Sequence, residues 1–270
     1  MAFVRYAIFV YISHKRHVMI IPERDIMGGL AKGLAVIETF SADRPRQSIS
    51  DVAAASGLDR ATARRCLLTL AQLGYADWDG KFFTLTPRVL RLGTACLATL
   101  PLPQIVQPHL DRLSDRIGES TSVSILDGSD IVYVARAAQR KVMSISLNPG
   151  SRLPAYCTSM GRVLLAALPD TTACQQLGAG PFPARTDRTL TTLECVMAEI
   201  GQVRGRGYAV IDQEVEIGLQ SLAVPLLDAR GRTVAAINVG VPGQGDPAAL
   251  PHRFLDHLVQ VQSQLRHLLT

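Results

Sequence analysis

Residues 48–75 read SISDVAAASGLDRATARRCLLTLAQLGY, and residues 75–85 continue YADWDGKFFTL. This stretch decides the fold. Ser48 precedes a short apolar-periodic run and Asp51 follows three residues later, which resembles a capping box with Asp in place of the stronger Glu. Gly57 stops that helix. Asp59 then caps a second helix whose apolar stripe is Ala63, Cys66, Leu67, Leu70 and Leu73, and Gly74 ends it. An Asp79-Gly80 pair joins two β-prone runs, a strong hairpin signal. Upstream, Leu30, Leu34, Ile37 and Phe40 recur at helical spacing over Gly28–Ala42, until ADRPR breaks the pattern. Helix, short helix, tight turn, helix and hairpin predict a winged helix-turn-helix, whose second motif helix enters the major groove of DNA.

The polar face of that helix carries Arg60, Thr62, Arg64, Arg65 and Thr69. Arg60 and Arg64 are four residues apart and share a side. An Arg can grip guanine O6 and N7 or bind phosphate, and Thr62 in the first turn can reach a base edge or a backbone oxygen. Ser48 and Ser50 sit at a helix N-terminus suited to phosphate, and Lys81 lies just past the hairpin tip. The charge distribution agrees. Of 28 Lys/Arg and 23 Asp/Glu, 13 and 8 fall in residues 1–100, so the whole net charge of +5 resides there and residues 101–270 are neutral. One part of the chain is matched to a polyanion and the other is not.

At 270 residues and 47% hydrophobic content, the chain is long enough for two domains with real cores. The five cysteines, Cys66, Cys96, Cys157, Cys174 and Cys195, form no C-x-x-C pair. That pattern points to free thiols in a reducing, cytoplasmic compartment, and no zinc or other cofactor motif is present. The apolar run Tyr6–Ile12 is far shorter than the ~20 residues of a membrane helix, and His14, Lys15, Arg16 and His17 follow it. Residues 1–25 are expected to be an extension, or to precede a true start at Met19 or Met27.

Beyond the hairpin, Pro87–Leu100 reads as a linker helix, and Pro101–Pro103 as the punctuation that ends it. The expected domains are 26–86 for DNA binding, 87–101 for the linker and 102–270 for a sensor. Leu102–Ile117 reads as an amphipathic helix. Strands are expected at Thr121–Leu126, Ile131–Ala135, Val142–Leu147, Ser221–Leu227 and Thr233–Val239, and helices at Ser159–Leu168, Thr192–Arg206 and from Pro247 onward. Mixed hairpins and helices predict an α+β domain around an antiparallel sheet.

From about Gly28 onward the chain resembles the IclR family of bacterial transcription regulators. The resemblance rests on LAKGLAVIETF, SISDVAAASGLDRATARRCLLTLAQLGY, LTPRVLRLG, IVYVAR, LPAYCTSMGRVLLAALP, RGRGYAVIDQEVEIGLQSLAVPLLDARG and AAINVG. DRATARRCLLTLAQLGY, SVSILDGSDIVYVAR and LPAYCTSMGRVLLA resemble the branch that regulates protocatechuate and 4-hydroxybenzoate catabolism through the β-ketoadipate pathway. The resemblance implies a winged helix, a linker helix and a GAF-like effector domain. It also implies a homodimer or dimer of dimers on palindromic double-stranded DNA, and a small carboxylic acid as effector.

The family's backbone-binding segment falls on Ser159, Met160 and Gly161, its apolar wall on Val142, Ile145 and Leu153, and two polar positions on Ser221 and Asn238. Where some members carry an Asp this chain has Ile211, with Asp212 adjacent, and a second serine position falls on Gly240. Fewer polar groups suit a larger, flatter acid. Arg136 is either the partner of its carboxylate or a strand-end surface residue. Ser159 is either a ligand donor or a helix N-cap.

Rival functions find little support. The chain has no G-x-S-x-G, P-loop or Rossmann fingerprint. Glu214 and Glu216, two apart on an expected loop, read as solvated carboxylates. Cys157, near the expected pocket, reads as a buried thiol sooner than a redox sensor.

Overall fold

The computed structural model describes residues 22–41, 43–93, 101–139 and 147–269. They fall into two compact units that divide between residues 99 and 100. The expected strand Val142–Leu147, apart from Leu147, and part of the expected linker helix lie outside the described residues, as do residues 1–21.

In the first unit α1 (Gly28–Glu38) precedes α2 (Ile49–Ser56) and α3 (Arg60–Gln72). The caps are those the sequence encodes. Ser48 accepts from the Asp51 amide while its own amide donates to the Asp51 carboxylate at 2.8 Å, closing the box. Gly57 follows at φ 68°, a left-handed turn that a Cβ would oppose. Asp59 accepts from the Thr62 amide at 2.9 Å. Val36, Val52, Ala63, Leu67 and Phe83 make the core. Strands β2 (Ala76–Trp78) and β3 (Phe82–Leu85) form the wing, and β1 (Arg46–Ser48) adds an edge, for an order β1-β3-β2. The Asp79 carboxylate takes the amides of Lys81 and Phe82 and ties the hairpin tip. That α1 ends at Glu38, short of Ala42, follows from Thr39, whose hydroxyl turns back to the Val36 carbonyl at 2.8 Å.

The second unit is a six-stranded antiparallel sheet of order β6-β5-β4-β9-β8-β7. Its strands are β4 (Ser120–Asp127), β5 (Asp130–Ala137), β6 (Arg152–Pro154), β7 (Ala209–Asp212), β8 (Leu219–Leu227) and β9 (Thr233–Pro242). One face is covered by α4 (Pro101–Ile117) and α8 (Leu250–Leu265), which bury Leu110, Leu113, Phe254 and Leu258 against Val123, Ile125, Leu222 and Ile237. The other face meets α5 (Ser159–Ala166), α6 (Asp170–Leu177) and α7 (Leu193–Arg206), with Met160, Leu165, Ile200 and Ala223 at its centre. Pro101 and Pro103, expected to punctuate the chain, lie inside α4 together with Pro108. Pro101 and Pro103 are tolerated because an amide in the first turn has no partner inside the helix, whereas Pro108 leaves one interior backbone bond unmade.

Candidate functional site

On the first unit, Arg60, Arg64, Arg65 and Thr69 are exposed along α3, opposite buried Ala63, Leu67 and Leu70. No carboxylate among the described residues pairs with the three arginines. Thr62 is half-buried and donates its hydroxyl to Asp59 at 2.6 Å, so it keeps only acceptor capacity toward DNA. Thr69 likewise spends its proton on the Arg65 carbonyl at 2.8 Å. Ser50 is exposed on α2, while the Ser48 hydroxyl donates to Asp51 at 2.7 Å. Lys81 is exposed at the wing, its ammonium 5.1 Å from the Phe82 ring. Arg46 joins this exposed basic set without any sequence signal of its own. β1 places its guanidinium 4.3 Å from the same ring, ion-paired with Asp79, whose carboxyl that pairing holds well below the usual carboxylate range.

The second unit has a cavity among its described residues. It holds about 450 Å³, open mouth included. Its floor is a sheet face that is polar because β4 alternates: Ser120, Ser122 and Ser124 point one way, Val123 and Ile125 the other. Cross-strand register places Arg136 and Asn238 on either side of Ser122. A bulge between Val123 and Ser124 shifts the pairing, so Tyr133 and Arg136, three apart, both reach the cavity. Arg136 donates to the Ser122 hydroxyl at 3.1 Å. Burial lowers its guanidinium pKa, against the opposing effect of Tyr133. No carboxylate among the described residues neutralises it. Burial also pushes the Tyr133 phenol up to about 12. Asn238 is buried, and its Oδ1 has no hydrogen-bond partner among the described residues.

The roof is the start of α5. Ser159 donates to or accepts from Ser221 at 2.8 Å, and Met160 and Leu153 add apolar wall with Leu147, Val215 and Leu219. Three expectations change here. The cap is Thr158, whose hydroxyl accepts from the Gly161 amide at 3.2 Å, so that amide is not offered to a ligand and Ser159 is the first helical residue. Gly161 is absent from the wall. It is glycine because a Cβ there would drive into the Ala155 backbone. Asp212 is not in the wall either, since its carboxylate is ion-paired with Arg188 and accepts from Gln213 and Gln220. Val142 and Ile145 lie outside the described residues.

Ser120, Ser122, Tyr133, Leu147, Thr158, Val215, Leu219 and Gly240 complete the lining, and of these only Gly240 was weighed from sequence. In STSVSI the alternation marks a strand but does not say that its serine face is the buried one.

Glu214 reverses its expectation as well. It is buried, and its Oε2 accepts from Arg162 at 2.7 Å. Burial raises its carboxyl pKa, and Arg162 opposes the rise. Cys157 is fully buried, and burial pushes its thiol up to about 12. Among the described residues no helix is long and apolar enough to cross a membrane, and no cluster of potential ligands could hold a metal ion.

The family model for the IclR helix-turn-helix domain matches residues 29–80. The model described as the bacterial transcriptional regulator IclR C-terminal matches residues 94–245. The chain belongs to the IclR family. An IclR protein is a DNA-binding transcription regulator, not an enzyme, and its two family domains coincide with the helix-turn-helix and the cavity-bearing sheet described above. This IclR chain is 46% identical over 245 residues to the Pca regulon regulatory protein of Pseudomonas putida, covering 90% of this chain and 84% of that protein. It is 34% identical over 264 residues to the p-hydroxybenzoate hydroxylase transcriptional activator of Acinetobacter baylyi, covering 96% and 97%. A crystal structure of an IclR homologue from Microbacterium hydrocarbonoxydans complexed with 4-hydroxybenzoate aligns with TM-score 0.69 at 25% identity, covering 88% of this chain and 99% of that one.

Proposed function

We propose that this regulator binds operator DNA through α3 and the wing, and controls genes of aromatic-acid catabolism in response to a small carboxylic acid held in the cavity beneath α5. The observation that carries the ligand class is Arg136: a half-buried cation, without a carboxylate partner among the described residues, in a cavity whose other described lining residues are neutral. A buried charge is costly until it is paired, and a ligand carboxylate supplies the partner. Tyr133, Leu147, Leu153 and Met160 give a flat ring apolar walls, and Ser122, Ser159, Ser221 and Asn238 offer hydrogen bonds to its substituents. The Pca and p-hydroxybenzoate regulators among the relatives, and the 4-hydroxybenzoate complex, support protocatechuate, 4-hydroxybenzoate or a β-ketoadipate-type acid. The reading includes a homodimer or dimer of dimers on a palindromic site, acting in the cytoplasm.

Two measurements test it. Calorimetric titration with the three acids should give binding to at least one, reduced tenfold or more in Arg136→Met. Arg64→Ala and Arg65→Ala should weaken DNA binding, flatten its salt dependence by about one unit of slope per lost phosphate contact, and leave unfolding unchanged. Unaltered DNA affinity in both variants refutes the assigned face. An absence of binding by all three acids refutes the ligand class.

A further inference from the structure

Arg136 is held from both sides of its strand. Its side chain lies in the cavity, but its peptide group faces the opposite edge of the sheet from Ser122. β6 and the turn before it cover β5 from Asp130 to Tyr133, and among the described residues no strand flanks the later part of β5 on that side. Gln107 of α4 fills the gap. Its Nε2 donates to the Arg136 carbonyl at 3.0 Å, and the Arg136 amide donates to its Oε1 at 3.3 Å. One carboxamide thus reproduces the two bonds a neighbouring strand would make. Nε2 also donates to Asp111 at 2.8 Å, so the amide end facing two oxygens must be the nitrogen.

A second polar bridge runs parallel to the first. The Gln139 amide donates to Ser120 of the cavity floor at 3.0 Å, and its Nε2 donates to Ser114 on α4 at 3.0 Å. Both bridges begin on a cavity residue and end on α4. That helix is the first element of the second unit, so the chain enters from the DNA-binding unit through it.

We infer that Gln107, seconded by Gln139, couples effector occupancy at Arg136 to the position of α4, and so to the DNA-binding unit. The inference rests on the proposed ligand reading. Hydrogen bonds suit this role better than apolar packing. Side chains in an apolar contact slide with little change in energy, whereas a bond of fixed length and angle weakens steeply when one partner shifts. When a carboxylate draws the Arg136 guanidinium away from Ser122, the strand edge moves with it. α4 must then follow or lose both bonds, which gives the two discrete arrangements that coupling requires.

The test is thermodynamic linkage. Gln107→Met and Gln139→Met keep the aliphatic stems and remove the bridges, and Gln104→Met is a control on an exposed face of the same helix. For each protein the affinity for protocatechuate, 4-hydroxybenzoate and β-ketoadipate is measured with and without a DNA duplex selected by the wild type from a random pool. The ratio of the two affinities is the coupling, ordinarily about 5- to 150-fold, and the affinity for the duplex must change by the same factor when the acid is added.

The expected result is acid and DNA affinities within about threefold of wild type when measured separately, with the coupling ratio collapsing toward one in Gln107→Met and falling in Gln139→Met. Hydrogen exchange over residues 101–117 should respond to the acid in wild type and in Gln104→Met, but not in Gln107→Met. An unchanged coupling ratio in Gln107→Met overturns the inference. So does loss of acid binding itself, which would make Gln107 only a support for the strand. A wild type that binds none of the acids overturns the functional reading first, and this one with it.

Discussion

Replacing Arg162 by Met should cost the second unit several kcal/mol, for reasons visible in its surroundings. The Arg162 side chain is 2% exposed and the Glu214 side chain 10%. The guanidinium donates to Glu214 at 2.7 Å and to the Tyr156 carbonyl at 3.1 Å. Without it, the Glu214 carboxylate keeps, among the described residues, the Leu190 amide at 3.3 Å, and the Tyr156 carbonyl loses a donor. Breaking a buried ion pair from one side costs about 3–5 kcal/mol, chiefly because the remaining charge stays buried. For a unit of this size each kcal/mol lowers Tm by about 2–4 °C, so the loss is roughly 6–20 °C by calorimetry.

The pH dependence has a definite sign. Glu214 already has a raised pKa in the fold, and losing Arg162 raises it further. A raised carboxyl contributes stability that is fully present below its unfolded value and is lost as pH rises through its folded value. The deficit of the variant should therefore be larger at pH 8 than at pH 5. Adding Glu214→Leu removes the orphaned charge and should recover most of the loss. A single variant within about 1 kcal/mol of wild type, or a double variant no better than the single, would show that the buried Glu214 charge does not depend on Arg162.

Gly161→Ala should unseat the start of α5 from the turn at Ala155, because the new methyl meets backbone that cannot rotate away. Calorimetry should show a loss above about 2 kcal/mol, together with weakened acid binding through displaced Ser159 and Met160, and a neutral substitution would contradict the packing. Cys157, buried and with its thiol pushed up to about 12, should resist iodoacetamide at pH 8 while exposed Cys195 reacts. Peptide mass spectrometry reads both sites, and equal labelling of the native protein would show that Cys157 is accessible.

The two units were unequally legible. In the first, the helix caps and the hairpin tip are set by groups within four residues of them: Ser48 with Asp51, Gly57, Asp59 with Thr62, and Asp79 with the amides that follow. Such signals survive in a linear reading, whereas the edge strand β1 depends on its pairing with distant β3. In the second unit, β1-sized elements such as β6 and β7 exist because distant strands pair with them, Ile131 with Leu153 and Ile211 with Ser221, and three or four residues carry no period of their own. The same holds for charges. Glu214 reads as a loop carboxylate until Arg162, 52 residues earlier, is seen buried against it. Asp212 reads as a ligand position until Arg188 is seen to occupy it.

The cavity floor shows where sequence and structure part company. STSVSI identifies a strand by its alternation, and alternation alone assigns the serines to water. Ser120, Ser122 and Ser124 are instead 7%, 1% and 0% exposed. Burying hydroxyls without partners costs free energy, so each has found one: the Gln139 amide, the Arg136 guanidinium and the Met160 sulfur. An all-apolar strand would be simpler to bury and would make a more stable sheet. A polar face kept inside the molecule, with the Asn238 Oδ1 beside it unpartnered among the described residues, is what stability alone would not retain. It marks the side of the sheet on which a hydrogen-bonding ligand belongs.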